Sequence, residues 1–412
     1  MEKQNDEMYS FNISNKKKAT NSSKKKIIVI VVIFIIIALV AWRSALHIIE
    51  QYKDINLRGG VTYELSIDGK SYVVFGTDKN IVEEVKILEE YKDLPVTGIH
   101  HSAFKGCTDI TNVIIPNSVT YIENSAFENC ANLTNVTIPI GVKSIERNAF
   151  KGCTRLARVS IPNSVTAIED SAFENCASLA NITIPNRVTT IGTEAFKGCT
   201  ALSNITIPNG VKYVSKSTFE GCTGLMSVSM PNSVEIIGNA AFYGCTKLAN
   251  ITIPNGVTDI GWSAFSECIG LSTLTISGTI ENYAFSGCTG LTSITLNNVS
   301  SIGWSAFSGC TGLKSIVIPS SVKKIGSSAF EGCKNLKHVD FEIKYGWKHD
   351  DNPLLPADLS DTQKAATYLT RTHCVYDWTR NQSNFLVKNN LFYIKIKALE
   401  KGLFCFAFLR LF

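Results

Sequence analysis

The sequence predicts a solenoid: short, near-identical coils stacked on one apolar core, with a parallel β-sheet on one face and irregular or short helical return segments, preceded by a transmembrane helix. Three observations carry this expectation. Phenylalanine recurs at 104, 127, 150, 173, 196, 219, 242, 265, 285, 307 and 330, at intervals of 23 residues except for one of 20 and one of 22. A cysteine follows each of these by three residues, and a leucine follows by six, with Ile110 as the exception. Residues 27–42 read IIVIVVIFIIIALVAW without a charge.

The amino-terminal region divides by charge. Residues 1–26 hold seven lysines against Glu2, Asp6 and Glu7, which accounts for +4 of the formal net charge of +5 in the 412-residue chain. The rest is near neutral, so no broad basic surface invites nucleic acid. Sixteen helical residues span roughly 24 Å, against ~30 Å of hydrocarbon. Arg43 can snorkel, and residues to Leu46 add a turn. A cleaved signal peptide competes with this reading. The long basic lead and the lack of a small-x-small cleavage site favour an uncleaved signal anchor over 27–46. The lysines then place 1–26 in the cytoplasm and export the rest of the chain, giving a single-pass cell-surface protein.

Residues 47–98 are expected to form a linker and an amino-terminal β cap. Within them VTYELSIDGKSYVVF, residues 61–75, alternates about Asp68-Gly69 and predicts a hairpin. Such a hairpin would cover the pairing edge of the first coil. Eleven units fill 99–342, on the pattern L-x-x-[IV]-x-I-P-x-x-V-x-x-I-x-x-x-A-F-x-x-C. Leu202, Ile205 and Ile207 are spaced as a strand, and Pro208, lacking an N–H, ends it. Gly or Asn before the Cys, as at Gly106 and Asn129, suits a left-handed backbone position. A coil this short cannot bury its apolar side alone, whereas stacked coils share one core. The units ending at Phe285 and Phe307 lack the Pro and are shorter by three and one residues, so the stack should bend or flatten there. Residues 343–412 form a carboxy-terminal cap or tail.

These units resemble the BspA-like leucine-rich repeat family, as in IPNSVTAIEDSAFENCASLANIT at 161–183. The resemblance covers roughly 61–380. Residues 94–104, LPVTGIHHSAF, resemble the usual approach to a first unit, and 357–380 resemble the helical tail of bacterial members. Residues 381–412 match nothing of the family. The resemblance implies a leucine-rich-repeat solenoid on a surface or secreted protein that adheres to host proteins, matrix or other cells.

Candidate chemistry is sparse. Parallel side-chain vectors in a stack oppose disulfides between ladder cysteines, so buried thiols are expected; Cys374 and Cys405, outside the ladder, could pair with each other. The six histidines show no metal spacing, and His100-His101 reads as solvated surface. Lys105, Glu128, Lys151, Glu174, Lys197 and Glu220 alternate in sign along successive units, either as a charged docking stripe or as a device against register slips. The sheet face, with Asn181, Thr183, Asn204, Thr206, Asn250 and Thr252, is small and polar. Trp262 and Trp304 share one repeat column, with Tyr243 and Tyr283 nearby, and form the candidate aromatic ligand site.

The expected function is therefore cell-surface binding or adhesion toward an extracellular protein or glycan. The alternative is a structural spacer of the cell envelope without a specific ligand. Neither an enzyme, a cofactor nor a metal is expected, and the oligomeric state stays open.

Overall fold

The computed structural model describes residues 60–77, 83–349, 352–372 and 377–380, all within the compact unit Arg58–Phe412. The basic tail 1–26, the expected transmembrane segment 27–46, residues 381–412 and both Cys374 and Cys405 lie outside the described residues. No described helix is long and apolar enough to cross a membrane.

The units build two parallel ladders, most of them giving one strand to each; the unit holding Asn181 and Thr183 adds a strand, Thr190–Ile191, to the second ladder only. The main ladder carries strands such as Asn135–Thr137 and Arg158–Ser160, paired residue for residue one unit apart. It begins with Glu83–Lys86, which pairs with Ile110–Ile114. Its strands alternate outward, inward, outward about a buried Val or Ile, the period of a half-buried strand. Pro then ends the strand, and its carbonyl accepts from the N–H three residues on, as in Val211 to Pro208 at 3.0 Å, a closed β-turn. The inward Val of that turn, such as Val211 or Val234, is buried.

Of the irregular or short helical return leg expected, the described residues show the irregular form. The leg first forms a two-residue parallel strand, as in Ser144–Ile145, Ala167–Ile168 and Thr190–Ile191. It then turns twice through the left-handed region in every unit. One turn lies two residues after the Phe, at Gly106 (φ 75), Asn129 (φ 61) and Gly152 (φ 72). The other lies two residues before it, at Ser125 (φ 59), Ser171 (φ 54) and Tyr283 (φ 57). A right-handed helix cannot pass through either position, so the described helices are confined to the carboxy-terminal segment. The turns still satisfy their backbone by bonding to the next coil: Phe104 N–H donates to Ala126 C=O at 2.8 Å, and Gly106 N–H to Glu128 C=O at 2.7 Å. A Cβ at Gly152 would meet Asn129 Oδ1 of the previous coil, the movable end of a side chain, and Asn129, Asn175 and Glu267 fill the same left-handed position in other units.

The eleven phenylalanine rings form one continuous stack with centroids 5.0–5.6 Å apart and planes within 13°. They are buried throughout. Each buried phenyl is worth roughly 1.5–3 kcal/mol over exposure, which makes this column the spine of the core. Beside it, the described ladder cysteines are all free thiols. From Cys130 to Cys333 each thiol donates to the Phe carbonyl of the preceding coil, as in Cys176 to Phe150 at 3.1 Å and Cys288 to Phe265 at 3.1 Å. Burial pushes the Cys222 and Cys288 thiols up to about 12, which keeps them protonated and donating.

The return ladder is capped at both ends. Val61–Leu65 and Tyr72–Thr77 form the antiparallel hairpin expected at 61–75, with Gly69 (φ 69) at its turn. It covers the return ladder by pairing with Leu94–Ile99. At the other end Trp378–Arg380 runs antiparallel to Lys324–Ile325 and stops the parallel return ladder. Buried Trp347 and Trp378 flank Phe341 there. Two short helices come after the last coil, α1 (Pro356–Ser360) and α2 (Thr362–Thr367). Asp361 caps α2 by accepting from the Gln363 and Lys364 N–H groups at 3.0 Å, and α2 packs on strand His338–Phe341.

Candidate ligand-binding surface

The two shortened units change the coil at one place. A regular unit passes from strand to return leg through I-P-x-x-V-x-x-I; the unit after Phe265 has only Ile276-Ser-Gly-Thr-Ile280. Without the Pro stop, the two strands fuse into Thr273–Ile280, and in the next unit into Ser293–Ile302. The pairing register shifts between Ser277 and Thr279. Gly278 (φ 82) makes the corner, and Ser277 Oγ donates to the carbonyls of Asn255 and Val257 in the previous coil, standing in for the missing turn. The Phe265–Phe285 and Phe285–Phe307 rings nonetheless remain 5.2 and 5.3 Å apart. The deletion is absorbed wholly at the corner.

Over this region the aromatic residues meet. Trp262 and Tyr283 contact edge to face at 6.1 Å, and Tyr283 and Trp304 at 5.2 Å with planes 56° apart. Geometries of this kind suit the ring quadrupoles. Trp262 is 51% and Trp304 47% exposed, while Tyr283 is half-buried between them. Local backbone sets the arrangement. The Trp262 N–H donates to Asn239 Oδ1 at 2.9 Å and the Trp304 N–H to Asn282 Oδ1 at 2.8 Å. Tyr283 N–H donates to the Trp304 carbonyl at 2.8 Å. Tyr283 occupies the left-handed position that other units fill mostly with Ser, so its ring falls between the two tryptophan columns. Tyr243 is 41% exposed but sits one residue after its Phe, in the Lys/Glu column, and makes no ring contact with the three.

The sheet-face residues are exposed but do not form one strip. Asn204 and Thr206 lie in a strand, Asn250 starts a two-residue one, and Thr252, Asn181 and Thr183 lie outside any strand. Ser227 Oγ donates to Asn204 Oδ1 at 2.5 Å, so part of this face is occupied by its own ladder bonds. A shallow groove runs along Thr252, Thr273, Thr275, Ser293 and Thr295.

The alternating charges pair across coils. Lys105–Glu128, Lys151–Glu174 and Lys197–Glu220 approach to 2.9, 2.7 and 3.2 Å. Burial pushes the Glu128 carboxyl up, but hydrogen bonds from Lys105 and Ser125 and the charges of Lys105 and Lys151 outweigh it and hold the group below its ordinary value. A cleft that the sequence did not signal lies between the last coil and α2, lined by Lys334, Lys337, His338, Gln363 and Thr370. It joins residues from the last unit to residues of the tail.

Compared with known proteins, the chain matches the BspA type leucine rich repeat region in six copies, over residues 89–185, 167–282 and 277–345. No curated protein matches. Among solved structures, a leucine-rich repeat protein from Bacteroides ovatus is 30% identical, with 69% of this chain and 94% of that one covered and a TM-score of 0.46. A leucine rich cell surface protein from Faecalibacterium prausnitzii is 27% identical over 70% of this chain and 94% of its own, with a TM-score of 0.39. A Treponema pallidum leucine-rich repeat protein is 28% identical over 51% and 87%, again at 0.39. The chain belongs to the BspA-type leucine-rich-repeat family.

Proposed function

We propose that this chain is a cell-surface binding and adhesion protein, and that the aromatic chain Trp262–Tyr283–Trp304 is its ligand-contacting site. The observation that carries this reading is the exposure of two indoles, bridged by a tyrosine, on a scaffold whose spine of rings is stacked inside. Exposed aromatic clusters are enriched at binding sites because they offer large apolar area at low entropic cost. Their flat faces suit the apolar face of a sugar ring or an apolar side chain. The Nδ2 donors of Asn239 and Asn282 make no hydrogen bond among the described residues and stand ready for ligand oxygens.

The segment 27–46, behind its lysines, supports membrane attachment with the repeats outside. Repetition along the stack suits weak multivalent contact with protein or glycan. The reading is non-enzymatic and needs no cofactor. The spacer alternative draws on the regular units, whose charged and amide columns bond mainly to each other.

The test is binding of the full-length protein to an array of immobilised oligosaccharides and matrix proteins, beside a Trp262→Ala/Trp304→Ala variant. Loss of a positive signal by about thirtyfold or more, the effect of removing a hot spot worth 2 kcal/mol, supports the reading. An unchanged signal refers binding to another face, and no signal from either protein favours the spacer.

A further inference from the structure

The residue four before each Phe forms its own column, which begins His100, Glu123, Glu146, Glu169. The adjacent column begins His101, Asn124, Arg147, Asp170. At the top of these columns the ligand-capable atoms of His100, His101 and Glu123 all lie within 4.8 Å of one another. The two imidazole rings are 4.1 Å apart at 44°, and His101 Nδ1 is 3.9 Å from Glu123 Oε2.

From this geometry we infer that His100, His101 and Glu123 form a binding site for a divalent transition-metal ion of the zinc, nickel or copper type. Two imidazoles and one carboxylate are a donor set for such ions. In tetrahedral zinc, ligands at 2.0–2.2 Å stand about 3.3 Å apart, so closing the site needs side-chain adjustments of little more than an ångström.

The backbone holds the set in place. His100 N–H donates to Val74 C=O at 2.8 Å and Glu123 N–H to Ile99 C=O at 2.9 Å. His101 N–H donates to Glu123 Oε2 at 2.9 Å, orienting the carboxylate as outer-shell bonds orient metal ligands. Phe75 of the hairpin packs on the His100 ring at 5.4 Å. Below the site the column continues as Glu146 and Glu169, and Arg147 is the one cation among these eight positions. The local field therefore favours a cation. Three protein ligands leave a position for water or a ligand group. An ion here ties the first coil to the second, beside the amino-terminal hairpin.

The site escapes a spacing search because its third ligand comes from the next coil, 23 residues after His100.

The experiment titrates full-length protein, kept reduced, with Zn2+ alone, following bound metal and Tm. The expected result is one Zn2+ per chain and a Tm that rises with Zn2+. His101→Ala and Glu123→Gln should each weaken binding more than about tenfold and abolish the Tm rise, with metal-free Tm near that of wild type. No stoichiometric Zn2+ in the wild type, equal affinity in both variants, or loss of binding on Cys107→Ser with both histidines intact would overturn the assignment.

Discussion

The regular units and the two shortened ones share a core and differ at the surface. From Phe104 to Phe330 the ring stack holds its spacing whether the unit is 23, 22 or 20 residues long. The thiol bond from each Cys to the preceding Phe carbonyl persists as well. The corner changes, where Pro turns give way to fused strands, and so does the column three before each Phe, where Trp262 and Trp304 follow Asn239 and Asn282. Coil length is thus free to vary only where no stacked side chain depends on it. Relaxed coil length and the candidate site coincide in this stretch.

If the spine is uniform, Phe173→Ala in a regular coil and Phe285→Ala in a shortened one should each destabilise by about 3–5 kcal/mol, read by urea unfolding. A much smaller loss at Phe285 would show that the shortened coils are loosely packed. Next in size is the corner. A Cβ at Gly278 would lie 2.2 Å from the Thr258 carbonyl at φ 82, so Gly278→Ala should cost roughly 1–3 kcal/mol. Gly210, in a regular corner, has its nearest atom, a mobile Thr189 methyl, at 3.0 Å, and Gly210→Ala should cost clearly less in a parallel urea titration.

Thiol accessibility sharpens the same picture. Cys107, half-buried at the first coil with its thiol raised by burial to about 11, should react with a maleimide before any fully buried ladder cysteine. Peptide mapping after partial labelling of native protein reads the order.

The smallest effect concerns the ion pairs that mark the regular coils. Glu128→Gln should cost about 0.2–1 kcal/mol at neutral pH. The folded carboxyl is held below its ordinary value, so its stabilisation is present above the unfolded range near pH 4.3. It is lost as pH falls through the folded value, and the gap between wild type and variant should close on acidification. A gap that widens instead would show that the ion pair does not stabilise the fold.

Much of this is legible in the sequence because the repeat fixes the task of each column. The Phe-Cys spacing implies the buried thiols, the alternation about Asp68-Gly69 implies the hairpin, and the missing Pro marks the irregular coils. The return ladder is not legible, since two residues such as Thr190-Ile191 carry no period. The second left-handed position is hidden by Ser, which does not announce a positive φ as Gly does. Tyr283 lies near the tryptophans in the repeat, but only that backbone position shows why its ring bridges them. Tyr243, grouped with them by sequence proximity, belongs to another column.

The most direct test of the division between scaffold and site compares two double variants of the full-length protein in one binding assay on immobilised oligosaccharides and matrix proteins. Trp262→Ala/Trp304→Ala removes the aromatic pair, and Asn204→Ala/Thr206→Ala strips the face of a regular coil. Exposed side chains at all four positions should leave Tm close to wild type. The first variant should lose binding and the second retain it; binding lost only by the second would place the ligand on the regular face and not on the aromatic pair.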